Sequence, residues 1–123
     1  MTPGTSDRKL EHIKIVSQQD VQAKQKTTWL EYVVLVHQSL PELNKSEIDL
    51  SIKFLGHKLN YPILISGMTG GHAEAKKINE TLAAAAEKAG VAMGVGSQRA
   101  MLEKPELTET YQVRKFAHSI FLI

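Results

Sequence analysis

The sequence has no cysteine, which excludes both a disulfide scaffold and a thiolate metal site. Excess charge is scarce too: a formal net charge of +2 is too near neutrality to imply a nucleic-acid surface. Long apolar runs are missing. The stretches "YVVLV" (32–36) and "LAAAA" (82–86) fall far short of the roughly 20 residues that span a bilayer. The opening "MTPGTSDRKLEHIKIV" puts charges where a signal peptide needs a continuous apolar segment. The five histidines are widely scattered, with neither HExxH nor a nucleophile elbow, so no zinc motif or catalytic triad is visible. These exclusions point to a soluble, cytoplasmic protein with no nucleic-acid or membrane partner.

What remains is enough for one small domain: 123 residues, 42% of them hydrophobic. Residues 1–60 are polar and mixed, whereas 61–123 alternate apolar runs with helical patterns. In the first part, "SIKFLGHKLNYP" (51–62) reads as a β-hairpin, with two alternating runs around Gly56 and a close at Pro62. Upstream, "TTWLEYVVLVHQSLPEL" (27–43) fits a helix ending before Pro41. The β-branched Val33, Val34 and Val36 fit a strand nearly as well, and composition leaves that choice open. Trp29 and the tyrosines read as core.

The second part is more regular. "YPILIS" (61–66) has the form of a buried strand. From Ala73 to Ala89 an apolar stripe at Ala75, Ile78, Leu82, Ala85, Ala86 and Ala89 predicts an amphipathic helix, with Gly90 as its left-handed end. "VAMGVGS" (91–97) follows as a second strand, Pro105 opens a second helix to about His118, and "IFLI" (120–123) gives a third strand. Strand, helix, strand, helix, strand implies right-handed crossovers and a parallel sheet. The glycine-bearing loops at 67–71 and 96–100 then share the C-terminal edge of that sheet, where binding sites of parallel α/β folds collect. A closed eight-stranded barrel takes roughly 250 residues. With three strands in view and a last strand that lacks a covering helix, the chain is expected to be part of a longer one.

Three motifs carry possible chemistry. In "LISGMTGGH" (64–72), three glycines surround Met68 and Thr69 between a strand and a helix. They fit a tight turn, and equally a bare loop whose Gly70 and Gly71 N–H groups meet an anion at a helix start. "GVGSQRA" (94–100) opens like a dinucleotide fingerprint, but Arg99 stands where a third glycine is needed for close helix packing. Ser97, Gln98 and Arg99 read instead as polar groups at a strand end, with Arg99 suited to bidentate phosphate contact. "DRKLEH" (7–12) adds Arg8, Lys9 and His12, which taken alone would be a solvated terminus.

Taken in order, "RKLEH" (8–12), "VHQSLPEL" (36–43), "FLGHKLNYPILISGMTGG" (54–71), "INETLAAAAEKAG" (78–90) and "MGVGSQRA" (93–100) resemble the type 2 isopentenyl-diphosphate isomerases. The resemblance runs from about Arg8 to the last residue. It implies a (β/α)8 TIM barrel, of which residues 1–60 form an N-terminal extension with the hairpin and 61–123 about the first three parallel strands. It implies isomerisation between isopentenyl and dimethylallyl diphosphate in isoprenoid biosynthesis, using reduced FMN, NADPH as reductant and Mg²⁺, in homotetramers or homo-octamers. By the same carry-over, Ser66, Gly67, Met68, Thr69 and Ser97 contact the flavin. Arg8, Lys9, His12, Gln98 and Arg99 hold the substrate diphosphate. No catalytic residue and no Mg²⁺ ligand is assigned within these 123 residues, and the chain alone is expected to be inactive. Two other readings stand beside this one. The first is another FMN barrel, such as a hydroxy-acid oxidase. The second is an inactive fragment that binds a phosphorylated ligand or associates with other subunits.

Overall fold

The computed structural model describes residues 4–123; residues 1–3 of the N-terminal extension lie outside it. The first element is a helix that the sequence reading missed, α1 (Thr5–Gln18). No glycine or proline interrupts this stretch, and Asp7 Oδ2 accepts from the Gly4 N–H at 3.3 Å, closing the first turn. Half-buried Leu10 and Ile13 face the body of the protein, where α1 packs on two later helices.

Residues 27–43 are neither helix nor strand apart from one 3₁₀ turn, Leu30–Tyr32. Trp29 is 73% exposed and Tyr32 76% exposed, so the expectation that they belong to the core is wrong. Among the described residues no sheet edge or apolar face meets the Val33–Val36 run, and β-propensity without a partner strand does not make a strand.

The hairpin forms where expected. β1 (Ile52–Phe54) pairs antiparallel with β2 (His57–Leu59) in the register Ile52 with Leu59 and Phe54 with His57. Its two-residue loop carries positive φ at Leu55 (47°) and Gly56 (85°), the pattern that matches strand twist. A Cβ at Gly56 would meet only open space, so the glycine serves the backbone angle rather than packing. The hairpin leans on the end of the chain: the His57 ring stacks on Phe121 at 4.5 Å and Phe54 meets the same ring edge-on at 6.1 Å.

β3 (Leu64–Ile65) and β4 (Ala92–Met93) are parallel, and Met93 also bridges Leu122 in parallel. The strands are shorter than expected, but their order places β4 in the centre. Gly94 N–H donates to Ile65 O at 2.7 Å on one side, and Ile123 N–H to Met93 O at 3.0 Å on the other. Between them runs α2 (Ala73–Ala89), ended by Gly90 at φ 67°, ψ 39° as predicted. Its buried face is Ala75, Asn79, Ala83 and Ala86, rotated from the expected stripe; Ile78 and Ala85 face outward. Small side chains on that face let the helix approach the sheet closely. Ala83 and Ala86 join Val91, Met93, Val113, Ala117 and Ile120 in the core.

The predicted helix from Pro105 to about His118 is not continuous. A short helix, α3 (Arg99–Glu103), precedes it, and the span itself holds two 3₁₀ turns, Pro105–Thr110 and Arg114–Phe116. Side chains supply the reason by taking backbone groups that a helix would use itself. Thr110 Oγ1 donates to Leu107 O at 2.7 Å, and Arg114 Nη1 donates to Ala117 O and Ile120 O at 3.0 and 2.9 Å. The Glu87 carboxylate accepts from Ser119 N–H and Oγ and from Ile120 N–H, fixing the approach to the third strand. No helix among the described residues is long and apolar enough to cross a membrane.

Candidate functional site

The two glycine loops leave the same edge of the sheet, from the C-terminal ends of β3 and β4, and lie backbone against backbone. The Gly96 N–H donates to Thr69 O at 3.0 Å. A Cβ on Gly96 would sit 2.6 Å from that oxygen, and one on Gly67 would overlap the Val95 carbonyl. Gly70 (φ 151°) and Gly71 (φ 79°) hold backbone angles that side chains avoid, and a Cβ on either would strike Tyr111 or Ala100.

These contacts decide part of the question posed by the bare loop. Gly71 N–H does not face outward to an anion; it donates to the buried Thr110 hydroxyl at 2.8 Å. The start of α2 is capped from within, since His72 Nδ1 accepts from Glu74 N–H at 3.2 Å. The anion reading of Gly70 and Gly71 is therefore corrected: those glycines serve internal packing. Bare backbone remains available slightly upstream, where Ser66, Gly67 and Met68 are exposed and Met68 is 80% so. Thr69 is half-buried, its carbonyl shared between Gly96 N–H and Asn79 Nδ2.

Helix α1 does what the sequence order alone does not reveal. It brings Thr5, Arg8, Lys9 and His12 against Ser97 and Arg99 around an open cavity of about 280 Å³. Among the described residues no carboxylate lines the cavity, and Arg8, Lys9 and Arg99 form no salt bridge. Three unneutralised cations around one space favour an anion of more than one charge, and two of them are guanidinium forks suited to phosphate oxygens. Gln98 is the exception among the residues predicted to hold the diphosphate. It is exposed at the first position before α3 and does not line the cavity.

Behind these surfaces lies a polar cluster that sequence reasoning missed. Asn79, 1% exposed, donates through Nδ2 to Thr69 O at 3.2 Å and to Thr110 O at 3.0 Å. Tyr111 donates its hydroxyl to Ser97 O at 2.9 Å, and burial pushes the phenol's pKa up, which keeps it a neutral donor. A polar residue at Asn79 on the otherwise alanine face of α2 was the available signal.

The family described as FMN-dependent dehydrogenase matches residues 4–113, nearly the whole chain. The chain belongs to that family. Among curated relatives, the isopentenyl-diphosphate delta-isomerase of Pyrococcus furiosus is 54% identical over 119 residues, covering 94% of this chain and 30% of that protein. The proteins of the same name from Methanothermobacter thermautotrophicus and Nostoc sp. are 50% and 48% identical, each covering 96% of this chain and 34% of their own length. The chain thus spans about a third of the length of the curated relatives it matches. The resemblance drawn from the motifs agrees with both findings.

An FMN-dependent family directs attention to the exposed Ser66–Met68 backbone and the Ser97 hydroxyl. They lie at one sheet edge, where exposed backbone at Gly67 and a hydroxyl at Ser97 are groups that could contact a flavin. Among the described residues no group of three or more His, Asp or Glu side chains is arranged to hold a metal ion.

Proposed function

We propose that this chain forms the substrate-diphosphate and flavin-contacting part of an isomerase that interconverts isopentenyl and dimethylallyl diphosphate. It belongs in this reading to the opening of a (β/α)8 barrel, with residues 1–60 as the N-terminal extension and 61–123 as the first strands. The carrying observation is the cavity in which Arg8, Lys9, His12, Ser97 and Arg99 meet without a carboxylate. Ser66, Gly67, Met68 and Thr69 take one side of FMN, with the Ser97 hydroxyl beside it. Gln98, exposed next to Arg99, reaches the diphosphate only if its side chain turns toward the cavity when substrate binds.

The reaction moves a double bond: one carbon gains a proton, another loses one, and no net oxidation occurs. Reduced FMN, when bound, supplies acid/base chemistry at the carbons. The residues of this chain hold the other end of the substrate. Arg8, Lys9 and Arg99 neutralise the diphosphate and fix the hydrocarbon tail at a constant distance from the flavin edge, which converts binding into orientation. NADPH as the source of reducing equivalents, Mg²⁺ as a partner of the diphosphate, a cytoplasmic setting and a homotetramer or homo-octamer complete the reading. The described residues offer no carboxylate cluster for Mg²⁺, so its ligands would come from other parts of the enzyme.

A second reading, a flavin-dependent oxidoreductase acting on a hydroxy acid, takes only its reaction class from the family's description as FMN-dependent dehydrogenase. A hydroxy acid presents a single carboxylate, for which three converging cations are more than is needed. The test uses the full-length polypeptide carrying this segment, loaded with FMN and supplied with NADPH and Mg²⁺. Dimethylallyl diphosphate formed from isopentenyl diphosphate without stoichiometric NADPH loss is the expected result. Oxidation of a 2-hydroxy acid with no isomerisation would establish the second reading instead.

A further inference from the structure

The 67–71 loop and the 96–99 loop must keep a fixed separation if flavin and diphosphate are to be held in register, and the structure shows what sets it. Two consecutive residues at the end of the Pro105–Thr110 turn grip one loop each. Thr110 Oγ1 accepts from Gly71 N–H at 2.8 Å, while its carbonyl accepts from Asn79, whose amide also holds Thr69 O. Tyr111, 7% exposed, donates to Ser97 O at 2.9 Å and packs its ring where Gly70 leaves no side chain. Ser97 O belongs to the peptide just before α3, so its orientation sets where the Ser97 hydroxyl and the Arg99 guanidinium begin.

We propose that Thr110 and Tyr111 are positioning residues, a two-residue clamp that fixes the spacing between the flavin-facing loop and the diphosphate-facing loop. This rests on the functional reading above, but neither residue touches ligand. Their neighbours explain why the clamp is rigid. Gly70 and Gly71 exclude side chains so that the Tyr111 ring can enter, and Thr110 ties back to Leu107 O within its own turn. A clamp of this kind holds the anion site only through Ser97 and Arg99. Arg8, Lys9 and His12, carried on α1, are untouched by it.

Tyr111→Phe keeps the ring and removes the one bond to Ser97 O. Inorganic diphosphate binding and the KM for isopentenyl diphosphate are measured in the full-length polypeptide, with Val113→Ala, whose side chain belongs to the core with Ala83, Met93 and Ile120, as a control. One neutral hydrogen bond corresponds to about a three- to tenfold change. The expected result is that Tyr111→Phe weakens diphosphate binding and raises KM by that factor with kcat changed less than twofold. Val113→Ala lowers the melting temperature but leaves both constants alone. Thr110→Ser, which keeps the hydroxyl, is expected to bind diphosphate as the parent does, and Thr110→Val to bind FMN more weakly. If Tyr111→Phe and Val113→Ala have the same diphosphate affinity, the clamp is only structural and the proposal falls. If the parent protein binds diphosphate without isomerising, the functional reading fails while the clamp is still decided by the binding constants. A parent that binds no diphosphate overturns both.

Discussion

Replacing Arg99 by alanine removes one of three cations around the cavity and leaves Arg8 and Lys9 in place. A hydrogen bond to a charged partner contributes about 1.5–3 kcal/mol. Arg99 is exposed on an open cavity, and the two remaining cations still face the ligand, so the low end of that range applies. At about 1.4 kcal/mol per tenfold, KM for isopentenyl diphosphate should rise about tenfold. Arg99→Lys should recover part of this, since an ammonium keeps the charge but not the bidentate fork. Salt gives an independent check. Exposed charges are screened within roughly 10 Å at 0.1 M, so KM should climb with ionic strength more steeply in the parent than in Arg99→Ala. The Arg99 side chain forms no salt bridge among the described residues, and the melting temperature should hardly move. Steady-state kinetics at two salt concentrations, with FMN affinity measured by fluorescence quenching, separates the roles. A variant that loses FMN while keeping its KM would refute the assignment and make Arg99 a cofactor residue.

Asn79→Leu keeps the branching of a buried side chain, with added volume, and strips Thr69 O and Thr110 O of a donor. A loss of about 1–3 kcal/mol in thermal unfolding is expected, and a neutral result would mean that water replaces the amide. Glu87 has its pKa lowered below the ordinary 4.5, first by the Ser119 hydroxyl and then by backbone N–H groups. A depressed folded pKa means stability that is present above the unfolded value and lost as pH falls through the folded one. Melting temperature should therefore drop more steeply below about pH 4.5 in the parent than in Glu87→Gln; parallel curves would remove Glu87 from the account. Leu55 holds φ at 47° in the hairpin turn, and Leu55→Asn should stabilise the fold by about 0.5–1 kcal/mol. A destabilised variant would show that the Leu55 side chain has a partner outside the described residues.

Local signals in the sequence translated well into structure. The hairpin around Gly56, the helix ended by Gly90 and the parallel order of the strands all depend on nearby residues and on chain-wide periodicity. The break-up of the Pro105–His118 helix depends on Thr110 and Arg114, and the approach to the third strand on Glu87, 32 residues from Ser119; no local pattern announces either. Helix α1 was legible in hindsight from an uninterrupted stretch with Asp7 placed to close its first turn, but basic residues near a terminus read more readily as solvated. For the candidate site, residue types singled out Arg8, Lys9, His12 and Arg99 as diphosphate contacts and Ser97 as a flavin contact, but not their arrangement around one cavity. Arg8 and Arg99 are 91 positions apart, and only the packing of α1 beside α3 brings them to one cavity. The glycines misled in part because bare backbone suits a ligand and a tyrosine ring equally well, and only coordinates show that Tyr111 occupies the space beside Gly70.

In the proposed function, Arg8 on α1 and Arg99 on α3 grip the same diphosphate. A double-mutant cycle measures this directly: isopentenyl diphosphate is titrated into the FMN-loaded full-length parent, Arg8→Ala, Arg99→Ala and the double variant. Residues that share one charged partner couple by about 0.5 kcal/mol or more, so the double variant should depart from the sum of the single effects by at least that amount. Strict additivity, or a single variant that binds as tightly as the parent, would contradict the claim.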